Sequence, residues 1–134
     1  MRELYMLDTD TCSYVIKGTS EPLIRRIKAH KNQLCISSIT LAELFFGVAK
    51  RNSPRLTDAV ELFQQLVDVR DWSVEAAEKY AQIRLHLENS GSLIGNMDML
   101  IAAAALAENA TLITNNTARF SRVKALKIEN WLND

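Results

Sequence analysis

The sequence predicts an α/β domain whose parallel sheet is covered by helices on both faces. Three observations carry this. Short apolar runs, among them "LCIS" and "TLIT", recur along the chain, as strands buried on both faces require. Longer segments with apolar residues at helical spacing separate them. At 134 residues and 48% hydrophobic composition the chain has the material of one ordinary core, and no repeat, low-complexity tract or linker divides residues 1–134.

The elements follow in order. Residues 3–7 read as a strand and 9–17 as a short helix. In "SEPLIRRIKAH" Ser20 is placed as an N-cap with Pro22 in the first turn of a second helix. "LCIS" (34–37) is a buried strand, and from Leu41 to about Lys50 the apolar spacing is helical again. "NSPRLTDAVELFQQL" opens a helix with Ser53 as cap and Pro54 at its first position. "VDV" (67–69) is a short strand. Ser73 caps a long amphipathic helix that stops before Gly91. After the loop "SLIG", Asn96 caps a helix over 97–108. "TLIT" (111–114) and "IEN" (128–130) are the last strands.

Sixteen basic and sixteen acidic residues cancel, with a sequence pI near 6.7. The whole chain is therefore not the excess-positive molecule that advertises nucleic-acid binding, although an enzyme needs only a local patch. Two such runs exist: Arg25, Arg26, Lys28, His30 and Lys31, and then Arg119, Arg122, Lys124 and Lys127. Cys12 and Cys35 stand outside any metal-ligand spacing and read as small buried apolar groups. The run "MLIAAAALA" is too short to span a bilayer. With no secretory leader in view, the expectation is a cytoplasmic protein without a membrane segment.

The stretch "LYMLDTDTCSYVIKG" raises the question of function, because Asp8 and Asp10 follow directly on a buried strand. They suit a helix cap, a metal site, or the nucleophile and acid/base pair of an aspartyl phosphotransferase. In an open parallel sheet, ligand sites lie beyond the carboxyl ends of the strands. Asp8 ends the first strand there, Glu43 falls in the first turn after "LCIS", and Asp98 opens the Ala-rich helix. Thr114, Asn115 and Asn116 end "TLIT" at the same edge. Each acid has a purely structural role open to it. Thr40-x-x-Glu43 matches a capping box, Asp98 suits a helix N-terminus, and Asp8 suits an N-cap. Together, converging carboxylates repel unless a cation sits among them. Oxygen donors without a Cys/His cluster point to Mg²⁺ or Mn²⁺ and to phosphoryl chemistry.

The segments "MLDTDTCSYVIKG", "CISSITLAELFFGV", "IGNMDMLIAAAALAENATLITNNTARFSRV" and "KIENW" resemble PIN-domain ribonucleases, and more closely the VapC-type toxins of bacterial toxin–antitoxin pairs. The resemblance covers nearly the whole chain with its motifs in order. It implies a three-layer α/β/α sandwich, often dimeric, that uses Mg²⁺ or Mn²⁺ to cut structured RNA, tRNA among them. A cognate VapB-type antitoxin holds such toxins inactive, with its tail in the groove near the active site. By position, the metal-binding acids would be Asp8, Glu43 and Asp98, with Thr114, Asn115 and Asn116 supporting them. Three departures stand out. Relatives often carry a fourth acid where this chain has Asn116 and Arg119, asparagine where it has Asp10, and histidine where it has Ala104. Arg84, His86, Arg119 and Arg122 are candidates for gripping RNA phosphates. Two other readings stay open. One is a PIN-like RNA- or protein-binding module without turnover. The other is the phosphotransferase using Asp8 and Asp10, although no G-D-D metal motif accompanies it.

Overall fold

A computed structural model describes residues 2–133. Among these residues five strands, β1 (Tyr5–Leu7), β2 (Leu34–Ser37), β3 (Asp68–Arg70), β4 (Thr111–Ile113) and β5 (Ile128–Glu129), form one sheet. Its order is β3-β2-β1-β4-β5, and every neighbouring pair is parallel. Parallel neighbours cannot be joined by a tight turn, so helices make the crossovers. These are α1 (Thr9–Lys17), α2 (Glu21–Ala29), α3 (Ser38–Arg51), α4 (Pro54–Leu66), α5 (Val74–Asn89), α6 (Asn96–Ala107) and the single turn α7 (Thr117–Phe120).

Strand side chains alternate between two cores. Tyr5 and Leu7 pack with Cys12, Leu23, Ile27, Val60 and Phe63 of α1, α2 and α4. Met6, between them, packs with Ile83, Leu87 and Ile101 of α5 and α6. The same division separates Leu34 and Ile36 from Cys35, and Ile113 from Leu112. Both faces of every inner strand are thus covered, which is why those strands read as unbroken apolar runs. The expected three-layer sandwich is the observed one. Ala102 to Ala105 are all buried, and their small side chains let α6 lie close between the sheet and α5. Cys12 and Cys35 are free, buried thiols, and burial pushes the Cys35 thiol up to about 12.

The polar punctuation acts as the sequence suggests at most helix ends. Ser20, Ser53 and Ser73 accept from the backbone N–H groups of Leu23, Leu56 and Ala76. Left-handed Gly18 (φ 69°) and Asn52 (φ 50°) end α1 and α3. Five expectations need correction. β1 starts at Tyr5, and β3 lies one residue later than "VDV". α3 begins at Ser38 rather than Leu41, because Ser37 ends β2 and also caps the helix, its Oγ accepting from Ile39 N–H at 3.1 Å. The Thr40–Glu43 capping box therefore does not form, and Glu43 stands in the second turn. Lastly, Gly95 and not Asn96 is the N-cap of α6, and it offers no side-chain bond.

The strand order sets where a ligand can enter. From β1 the chain moves to β2 and β3 on one side, then returns to place β4 on the other. The crevice beyond the ends of β1 and β4 is the topological switch point of the sheet. Its floor depends on the central strands. Ile36, fully buried on β2, is expected to cost about 2–5 kcal/mol of stability when cut to Ala. Leu85→Ala, on a residue 62% exposed, should stay within about 0.5 kcal/mol. Urea unfolding of both variants measures the contrast, and equal losses would contradict the layer assignment.

Candidate active site

Asp8 sits at the switch point. Its N–H donates to the Ile113 carbonyl of β4 at 3.1 Å, extending the β1/β4 ladder by one residue. Its side chain caps α1, Oδ1 accepting from Thr11 N–H at 2.9 Å. The residue is 5% exposed. Burial is the largest influence on its carboxyl and pushes the pKa above the ordinary range. The Thr114 hydroxyl and the Thr11 N–H and hydroxyl oppose this, while the Asp10 charge adds to it. The cap reading and a site reading are thus both available to one carboxylate. Thr114, buried at the end of β4, has its hydroxyl beside Asp8, where it draws the carboxyl pKa back down, and accepts from Asn116 N–H at 2.9 Å.

Glu43, on α3, is bonded by the Thr9 hydroxyl of α1. Thr9, Ala42, Glu43, Phe46 and Met97 line an open hollow of about 370 Å³. This hollow joins α3 to the first turn of α6, where Asp98 stands next to Met97. A narrower groove of about 190 Å³ continues from Thr9 and Glu43 between α1, α3 and α4. Asp98 is half-buried, and Arg119 Nη1 donates to its Oδ2 at 2.6 Å. The Asn116 amide oxygen, in the orientation its neighbours require, accepts from the same guanidinium at 3.2–3.3 Å.

Not every expected residue arrives. Asn115 is exposed and its Oδ1 accepts from Asn130 after β5, at 3.2 Å. Asp10 is exposed and acts on Asp8 only as a repelling charge, which gives a phosphotransfer acid/base pair no footing. Arg84 bonds Glu88 and the Tyr80 hydroxyl, and Tyr80 in turn bonds Asn96 at the start of α6. Arg122 reaches the Leu93 carbonyl in the loop before α6, at 3.4 Å. These two arginines and Arg119 therefore border the first turn of α6. His86 does not. It lines a different hollow of about 320 Å³ with Lys79, Leu106 and Lys124, which no acid lines. Ala104 packs in the core, as a helix residue between sheet and α5.

Three contributors escaped the sequence reading. Thr9 and Thr11 orient Glu43 and Asp8; their signal was the alternation in "DTDT". Gly95 is the third, because a Cβ there would lie 3.3 Å from Asp98 Oδ2. Its only mark in the sequence is a glycine just before the helix that Asp98 opens.

Among the described residues no three His, Cys, Asp or Glu side chains are grouped as a ready-made metal cage. The donor chemistry nonetheless fits one kind of ion. The acids offer oxygen only, the thiols are buried elsewhere, and the burial of Asp8 is only partly offset by its hydroxyl and N–H partners.

That burial has a measurable consequence. A carboxyl with a raised folded pKa favours the folded state when protonated, so its contribution is lost as pH rises through that pKa. In metal-free buffer Asp8→Asn, which keeps a capping side chain, is expected to melt higher than wild type at pH 7. The gain should shrink as pH falls towards the ordinary value of 3.8. Thermal melts of both proteins from pH 7 to pH 4 would show it, and a constant difference would refute it.

The PIN domain family matches residues 5–126. The chain is 40% identical over 131 residues to the Rickettsia felis ribonuclease VapC2, covering 96% of this chain and 98% of that protein. It is 38% identical over 128 residues to the tRNA(fMet)-specific endonuclease VapC of Salmonella typhimurium, covering 95% and 97%. The DNA-bound VapBC structure from Salmonella typhimurium superposes with a TM-score of 0.90 at 36% identity, covering 97% of this chain and 99% of that one. With the buried aspartate at the β1/β4 crevice and the full-length match together, the chain belongs to the PIN-domain family and, within it, to the VapC ribonucleases of toxin–antitoxin pairs.

Proposed function

We propose that this chain is a Mg²⁺- or Mn²⁺-dependent endoribonuclease toxin that hydrolyses structured RNA, tRNA first among the candidates, and so stops translation in the cytoplasm. The observation that carries the reading is Asp8, a buried carboxylate at the switch point whose near neighbours are hydroxyls, an N–H and another acid. The tRNA substrate is supported by the specificity named for the Salmonella relative. Among the described residues no helix is long and apolar enough to cross a membrane.

Asp8 and Asp98 would hold the cation, with Glu43 either joining them or ordering water. A bound divalent ion lowers the pKa of water towards neutrality and neutralises charge growing on the phosphate oxygens. The protein supplies the rest. Thr114 and Thr11 fix the Asp8 carboxylate. Thr9 fixes one Glu43 oxygen, leaving the other to accept a proton from the attacking water. Attack in line on the phosphodiester leaves a 5′-phosphate and a 3′-hydroxyl and needs no ribose 2′-hydroxyl. Arg84, Arg119 and Arg122, bonded around the start of α6, are the proposed grips for RNA phosphates.

A VapB-type antitoxin is the proposed partner, since the Salmonella relative is seen in a VapBC complex. The outer faces of α3 and α4 support it. Phe45, Phe46, Leu62 and Leu66 are each about half exposed or more, a concentration of apolar surface that a partner would cover.

Antitoxin-free protein should cut a cellular tRNA and rRNA pool at discrete sites with Mg²⁺ or Mn²⁺, and not with chelator. Asp8→Asn and Asp98→Asn are expected to lower the rate on the order of a thousandfold. Products ending in 2′,3′-cyclic phosphate would refute the mechanism. RNA binding that survives chelation, without cuts under any divalent ion, would indicate a binding module, which the Arg119–Asp98 ion pair would then help to explain.

A further inference from the structure

Asp98 already has a cation of its own. Arg119 Nη1 lies 2.6 Å from Asp98 Oδ2, and the guanidinium is also held by Asn116, three residues back. The turn that carries the arginine is pinned. Phe120, next in the chain, is 1% exposed in the core, and its N–H donates to the Asn116 carbonyl at 3.2 Å. Gly95, the cap of α6, leaves space beside the same Asp98 oxygen. Arg119 is therefore a fixed feature of this edge, with about half of its side chain still open to solvent.

Charge decides what that means for metal. Of the three acids proposed to hold metal, Asp98 already carries the Arg119 guanidinium. Asp8 and Glu43 are bonded by neutral hydroxyl and N–H groups and can take one divalent ion from their side. A second would share the edge with a guanidinium, against cation–cation repulsion, and compete with it for Asp98 Oδ2. A guanidinium stays charged throughout and presents a planar fork of donors that matches phosphate.

We propose that Arg119 stands in for a second metal ion. The site takes one divalent cation, and Arg119 is the built-in cation that grips the phosphate being cut. This rests on the metal-dependent reading above and adds to it a metal count and a catalytic residue.

The test is Mn²⁺ titration of antitoxin-free protein by calorimetry and electron paramagnetic resonance. Wild type, Arg119→Ala, Arg119→Lys, Arg119→Glu and Asp8→Asn are compared, with thermal melts confirming that each is folded. Wild type is expected to bind one Mn²⁺ and Arg119→Ala to bind it about two- to fivefold tighter, the scale of a released exposed ion pair. Arg119→Glu is expected to bind two. In cleavage assays Arg119→Ala should lose about a hundredfold in kcat, with Arg119→Lys recovering part of it. Two Mn²⁺ ions on wild type overturn the assignment, as does Arg119→Ala with unchanged affinity and kcat. Either result leaves the metal-dependent reading standing provided Asp8→Asn loses the ion. Mn²⁺ retained by Asp8→Asn, or bound by none of the proteins, overturns both.

Discussion

The structure turns on one unfavourable placement, an ionisable carboxylate buried at the carboxyl ends of β1 and β4. Asp8 is tied by its N–H to β4 and by its side chain to the first turn of α1. Removing a charge from water is costly unless partners compensate. Here the compensation comes from hydroxyls and one N–H, which is enough to fix the side chain but not to restore its ordinary pKa. A capping role alone would be served by an exposed aspartate, or by serine, as at α2, α4 and α5. Burial of the group goes beyond what capping needs, and that excess is the ground for the proposed role, because desolvation would strengthen its hold on any cation that arrives.

The other two acids are treated differently, and the difference is informative. Glu43 rests on a hydroxyl from α1, and Asp98 rests on an arginine from α7. Each is therefore satisfied without metal, although by partners of unlike strength. A hydroxyl can share its carboxylate with an ion at little electrostatic cost. A guanidinium can do so only by retaining its own charge beside the newcomer. The site is thus asymmetric, open on the Asp8 and Glu43 side and occupied by a cation on the Asp98 side.

Much of this was legible in the sequence. Unbroken apolar runs gave the doubly covered sheet, and Ser20, Ser53 and Ser73 marked three helix starts where the side chains do cap. The meeting of Asp8 and Thr114 beyond the ends of β1 and β4 followed from the rule for parallel sheets. What failed was local and had a shared cause. Ser37 serves strand and helix at once, so periodicity could not see where β2 ends and α3 begins, and Thr40 was given a capping role it does not have. α7 is a single turn, too short for any periodic signal. Sequence position puts His86 near the acids, whereas helix rotation turns it to the hollow behind α6; Asn115 is exposed and bonded to Asn130.

Arg119 shows why composition alone could not finish the argument. By charge it is one of several basic residues near the C-terminus, and the motif marks it only as standing where relatives often carry an acid. The fold separates them. Lys124 borders the apolar hollow behind α6, Arg122 reaches a loop carbonyl, and Arg119 reaches a carboxylate at the crevice. The separation comes from one buried neighbour, Phe120, which sets the orientation of the turn. A charge becomes part of a site when an adjacent apolar side chain leaves it nowhere else to point, and that coupling between core packing and electrostatics is visible only in three dimensions.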